Sequence, residues 1–185
     1  MNCRLLLLAV AFGTGACANL RDVGTNGAFR CSQPDEDLLQ RWIDRHDIKT
    51  VVCLRGVGDQ SKVTERAALS ADIDFVQVPM SATRLPAPET LLSLWDVCAH
   101  ASRPLVFHCR AGVDRTGLAS ALCVLHDTGD LARARSELAL IPNGHTGLLG
   151  TAAMDEVLDQ YEPHHGTMVF PDWVREVYAP AMLGK

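Results

Sequence analysis

The chain lacks an apolar run long enough to cross a bilayer, which takes about 20 consecutive residues. Its apolar stretch Leu5–Phe12 is too brief for that. It also lacks an excess of positive charge: 17 basic residues face 22 acidic ones, for a net charge of −5, so no nucleic-acid footprint is expected. No internal repeat and no low-complexity segment interrupts it. Aromatic residues make up only 5% of the chain, and Trp42, Trp95 and Trp173 read as packing residues. Metal-ligand spacing is missing too, since His145, His164 and His165 match no ligand pattern, so neither metal nor cofactor is expected. The seven cysteines form no disulfide framework; Cys98 and Cys123 fall on predicted helices in apolar company and read as core. What remains is an ordinary globular composition, 48% hydrophobic and 21% charged. A chain of 185 residues can bury a real core, and residues 19–185 are expected to form one domain.

Residues 1–18 have the shape of a signal peptide: Arg4, then the short apolar run, then small residues. Two exits overlap. Ala16-Cys17-Ala18 fits an A-x-A cleavage site, and Thr14-Gly15-Ala16-Cys17 loosely resembles a bacterial lipobox with lipid on Cys17. The expectation is export, as a periplasmic protein or a lipoprotein attached to the membrane through Cys17.

Downstream, short apolar runs alternate with segments of helical period. Phe29 and Arg30 read as a short edge strand, and Pro34 opens a predicted helix to about Arg45, with Leu38, Leu39, Trp42 and Ile43 on one face. Thr50–Leu54 is a β-branched strand run, Thr64–Ser70 a short helix after a loop, and Phe75–Val78 the next strand. A loop over Met80–Pro88 leads to a helix over Glu89–His100, then a strand over Pro104–Phe107 and a helix to about Thr128. The rest reads helical: Leu131–Leu140, a Pro142-Asn143-Gly144 break, Gly150–Tyr161 and Phe170–Tyr178. Such alternation predicts a three-layer α/β fold, a mainly parallel central sheet between helices, with a helical C-terminal part.

The stretch His108-Cys109-Arg110-Ala111-Gly112-Val113-Asp114-Arg115-Thr116-Gly117 joins a predicted strand to a predicted helix. A strand, a tight loop of small residues and a helix N-terminus make an anion site, with loop amides pointing inward and the helix dipole behind them. A thiol held beside a guanidinium and a helix N-terminus favours the thiolate, and an arginine can fork onto two phosphate oxygens. Cys109 and Arg115, six positions later, supply that equipment. In an acidic chain the positive field must be local, and Arg30, Arg55, Arg84, Arg110 and Arg115 are the candidates for it. Cys53, on a strand expected to neighbour that of Cys109, is placed either as core or as a disulfide partner protecting the nucleophile.

His-Cys-x5-Arg-Thr-Gly resembles the signature of the cysteine-dependent tyrosine and dual-specificity phosphatases, and Cys109 to Thr116 is most similar to bacterial atypical members and phosphoinositide-active ones. Asn19–Gly24, Phe29–Pro34, Thr50–Arg55 and Phe170–Val174 resemble flanking elements of that family, so the likeness spans about residues 19–180. The resemblance implies a dual-specificity-phosphatase-like fold and a cysteinyl-phosphate intermediate formed by Cys109. Arg115 and the segment Arg110, Ala111, Gly112, Val113 and Asp114 would bind the phosphate, with Arg55 in support. Thr116 would hydrogen-bond the sulfur, and His108 would order the loop.

Relatives take the leaving-group proton from an aspartate between the preceding strand and helix. Here Val78–Leu94 contains no aspartate and one carboxylate, Glu89, which leaves Asp114 as the leading general acid. With only two tyrosines and no loop that reads as gripping a phosphotyrosine ring, the site is expected to be open. Its substrate is then a phosphorylated protein, or a phosphoinositide or inositol phosphate. Two other functions compete: a module that binds phosphorylated ligands without turnover, and sulfur transfer, against which the Arg115-Thr116-Gly117 ending argues.

Overall fold

A strand that is apolar on both faces needs cover on both. Thr50–Cys53 and Leu105–His108 are such runs, every residue buried, and they lie side by side in parallel at the middle of the sheet. The computed structural model describes residues 19–147 and 150–184; the expected signal segment lies outside them. The strands are β1 (Arg21–Asp22), β2 (Ala28–Cys31), β3 (Thr50–Cys53), β4 (Asp74–Gln77) and β5 (Leu105–His108), in the order β1-β2-β5-β3-β4. Only β1 runs antiparallel to its neighbour.

Alternation along the strands sorts the two helical layers. Val51 and Val106 face α1 (Glu36–His46) and α2 (Asp59–Ser70), packing with Leu39, Trp42, Ile43 and Ala67. Val52, Leu105 and Phe107 face the other way, into the larger core built by α3 (Pro88–His100) and α4 (Asp114–Thr128). Behind these come α5 (Leu131–Ser136), α6 (Leu140–Asn143) and α7 (Ala153–Tyr161). A 3-10 turn over Glu162–His164, α8 (Phe170–Trp173), a π segment over Val174–Tyr178 and α9 (Ala179–Leu183) complete the described chain. Trp95 stacks on Phe170, and Tyr161, Trp173 and Tyr178 continue the aromatic contacts along this C-terminal part.

Several boundaries differ from the sequence expectation. β2 is not an edge strand: the two residues of β1 pair along its outer side, Arg21 opposite Arg30. Asp35 caps α1, its side chain accepting from Leu38 N at 2.7 Å, so Pro34 stands ahead of the helix. The first turns of α2 lie in the stretch expected as loop, because Ser61 Oγ accepts from Gly58 N at 3.0 Å and donates to Gly58 O at 2.8 Å. The predicted helix over 131–140 is broken after Ser136, whose carbonyl accepts from Asn143 Nδ2 at 2.8 Å. One consequence organises the molecule. The central strands β5 and β3 end together, and the loop into α4 springs from that carboxyl edge, where α/β sheets place their ligands.

Candidate active site

β5 carries Cys109 to the sheet's carboxyl edge, 2% exposed, with Cys31 and Cys53 ending the flanking strands opposite His108. The chain then folds back tightly against β2. Gly112 has φ +72°, and a Cβ there would lie 2.5–2.7 Å from the backbone of Ser32 and Cys31, so no larger residue fits. The turn aims the Gly112 N–H at Cys109 Sγ, 3.2 Å away. Gln33 N ties the loop's near side to Arg110 O at 3.2 Å. At the far side α4 begins, where the first amides of a helix have no acceptor of their own.

Arg30 sits behind this loop rather than in it. It is 2% exposed, and its Nη2 donates to Gly112 O at 3.0 Å and Val113 O at 3.1 Å. Its Nη1 donates to the Glu137 carbonyl at 2.9 Å and the Glu137 carboxylate at 2.7 Å. Burial pulls the Arg30 pKa down and Glu137 opposes the shift. The sequence reading of Arg30 as part of a phosphate-facing field is therefore corrected: it holds loop carbonyls toward the interior.

Arg115 reaches back over the strand ends, its Nη1 donating to Leu54 O at 3.3 Å and Met80 O at 3.5 Å. Arg55 donates to Gln33 Oε1 at 3.0 Å, and its carbonyl accepts from Gln77 Nε2 at the same distance. Arg55, Arg110 and Arg115 line one cleft of about 520 Å³, together with Asp59 and Ser61. Arg110 and Ala111 are exposed, and so is Arg84 on the loop after Met80.

The supporting residues behave differently from one another. His108 is wholly buried, and neither ring nitrogen completes a hydrogen bond to the described residues. Burial lowers its pKa to about 4 against the opposing pull of the Cys109 backbone, and the Arg55 and Arg115 charges add to the drop. A ring that stays neutral suits the ordering role read from the sequence. Thr116 does not reach the sulfur: its hydroxyl is buried without a hydrogen-bond partner among the described residues, and Gly112 N serves the sulfur instead. All five described cysteines are free thiols, Cys53 included, and burial raises the Cys53 pKa.

Asp114 stands in the first turn of α4 with its side chain about a quarter exposed, bonded to His145 Nδ1 at 2.8 Å. Glu89, the other candidate acid, is exposed in the first turn of α3, and its carboxylate makes no hydrogen bond among the described residues. In the sequence His145 stands out only as a possible metal ligand. Its position between Gly144 and Gly147, both at positive φ, is the signal that a short loop presents it.

Parallel strands delivering a cysteine into a loop closed by an arginine define the cysteine-phosphatase class of α/β proteins. A family model described as "DSP-PTPase phosphatase fused to NAD+ Kinase" matches residues 16–137, and the chain belongs to this family of dual-specificity-like cysteine phosphatases. Among solved structures it is similar to TpbA of P. aeruginosa at 19% identity and a TM-score of 0.58, covering 91% of this chain and 98% of that one. It is similar to the core catalytic domain of the PP-IP phosphatase Siw14 of S. cerevisiae at 17% identity and a TM-score of 0.56, over 88% and 92% of the two chains. A mutant form of Tk-PTP aligns at 20% identity and a TM-score of 0.59, over 78% and 95%. At these identities the likeness is one of fold. Comparison with curated proteins finds no significant sequence match.

Proposed function

We propose that this chain hydrolyses phosphate monoesters through a cysteinyl-phosphate intermediate, as a phosphatase of the protein-tyrosine/dual-specificity type. The observation that carries the reading is the buried Cys109 thiol under a loop amide, with Arg115 anchored across the strand ends. In the reaction Cys109 attacks phosphorus in line while Arg115 and the amides of Arg110–Asp114 hold the equatorial oxygens, where charge spreads in the transition state. Asp114 protonates the leaving oxygen. Water then attacks phosphorus, the P–S bond breaks, and its electron pair returns to sulfur. The protein's own guanidinium groups and amides supply the positive field.

A second reading of the substrate has its own support. Three arginines on one cleft of about 520 Å³ suit a ligand with more than one phosphate, such as a phosphoinositide or inositol phosphate. The test begins with an aryl phosphate: the unmodified chain should turn it over, and Cys109→Ser should not while still binding inorganic phosphate. Arg115→Lys should fail nearly as badly, because a point charge cannot replace a planar fork. Phosphate binding without turnover by the unmodified chain would make it a binding module. Phosphopeptides run beside phosphoinositides and soluble inositol phosphates then decide between the substrate classes.

A further inference from the structure

Two hydrogen bonds from one imidazole require two protons. His145 is only 3% exposed, with Nδ1 2.8 Å from Asp114 Oδ1 and Nε2 2.6 Å from Asp155 Oδ2. A neutral imidazole has a single N–H and would turn a lone pair toward one of the carboxylates. Burial works against charging the ring, but the bonds to Asp155 and Asp114 outweigh it and raise the pKa of His145. The three groups thus share two protons, either as an imidazolium between carboxylates or as a neutral ring beside one carboxylic acid. The backbone holds the ring in place: Gly144 and Gly147 turn at φ +75° and +63°, and a Cβ on Gly147 would stand 3.4 Å from Asp155 Oδ2.

Among the described residues, the charged groups facing His145 are Asp114 from α4 and Asp155 from α7. Arg21 of β1 reaches α6, just ahead of that loop, its Nη1 donating to Pro142 O at 2.6 Å. Cys109, Arg110 and Arg115 belong to the loop and helix start that contain Asp114.

We propose that His145 and Asp155 are positioning residues that form a proton relay with Asp114, storing the proton that Asp114 delivers to the leaving oxygen. The inference deepens the phosphatase reading and rests on it. When the P–O bond breaks, the leaving oxygen takes a proton from Asp114 and the relay as a whole loses one. His145 ends as a neutral ring whose remaining N–H, on Nε2, still donates to Asp155, and Asp114 ends as a carboxylate. In the second half-reaction the attacking water gives a proton to Asp114, its oxygen bonds phosphorus, and Cys109 leaves as thiolate. The relay then holds two protons again, and no external acid is consumed.

The experiment compares kcat/KM against pH for phenyl phosphate, whose leaving group needs a proton, and 4-nitrophenyl phosphate, whose leaving group departs without one. Asp155→Asn removes a carboxylate that favours the imidazolium, so the two-proton form is lost at lower pH. The alkaline limb of the phenyl phosphate profile should move to lower pH, while the 4-nitrophenyl phosphate limb stays in place. His145→Gln should lose about 10²-fold or more on phenyl phosphate, the range for a lost general acid, and only a few-fold on the activated ester. A mere brace for the loop predicts equal losses on both esters and an unmoved limb. Either result in Asp155→Asn, the milder variant, overturns the relay while leaving the phosphatase reading intact. Failure of the unmodified chain to turn over either ester overturns that reading, and the relay with it.

Discussion

His108 occupies a position where a charge is hard to keep. Its ring is wholly buried, burial holds its pKa at about 4, and the Arg55 and Arg115 charges add to that shift. In the unfolded chain an imidazole titrates near 6.5. Above that pH the ring is neutral in both states and contributes nothing to pH dependence. As pH falls from 6.5 toward 4, the unfolded chain takes up a proton that the folded one refuses, so stability is lost, by roughly 3 kcal/mol over the full window. Urea unfolding between pH 7 and pH 4.5 should therefore show a slope that is about one proton shallower in His108→Asn than in the unmodified chain. Equal slopes would mean that the folded state accepts the proton after all.

Between β5 and α4 the geometry of the Cys109–Arg115 loop depends on an ion pair that the loop does not contain. Arg30 of β2 joins the loop carbonyls to Glu137, just past α5, and so couples three elements through one side chain. Arg30→Met would strand the Gly112 and Glu137 carbonyls and the Glu137 carboxylate, which is 14% exposed, and should cost about 3–5 kcal/mol. Arg30→Met with Glu137→Met removes both charges and should recover much of that stability. It should not recover the loop, since Gly112 O still lacks its donor, whereas Val113 O keeps the Gly117 N–H at 2.7 Å. Thermal unfolding together with inhibition by inorganic phosphate separates the two effects. A double variant as sensitive to phosphate as the unmodified chain would show that the loop holds its shape without Arg30. The C-terminal part acts on the opposite rim: Tyr178 Oη donates to Pro86 O at 2.7 Å, steadying the loop whose Met80 carbonyl accepts from Arg115.

For the whole molecule, the net charge of −5 and the three arginines of the cleft are compatible because charge is concentrated rather than summed. The described fold begins its sheet at Arg21, just past the small residues Ala16-Cys17-Ala18. We propose that the residues before it direct export. In a bacterial host the mature chain should start near Cys17 or Asn19, as read by N-terminal sequencing or intact mass. If lipid is attached, labelled fatty acid should mark the chain and Cys17→Ser should remove the label. A cytoplasmic product that retains Met1 would refute export.

Features that lie within about ten residues of chain were legible before any fold was known. Buried strand runs at Thr50 and Leu105, the helices that follow them, and the spacing of Cys109, Gly112 and Arg115 are all of this kind. Their reason is local: a period of two or 3.6, and a turn that tolerates only glycine. Packing settled the rest. Arg30 looks the same in sequence whether it faces the phosphate or braces the loop from behind, and the contact that settles it joins residues 82 positions apart. Likewise β2 is interior because β1 covers it, a pairing of two residues too short to carry a pattern. His145 meets Asp114 across 31 positions and Asp155 across 10, on a loop and a helix that share no repeat with α4. Periodicity states which face of an element is buried; which side chain arrives there from another element depends on how the layers pack.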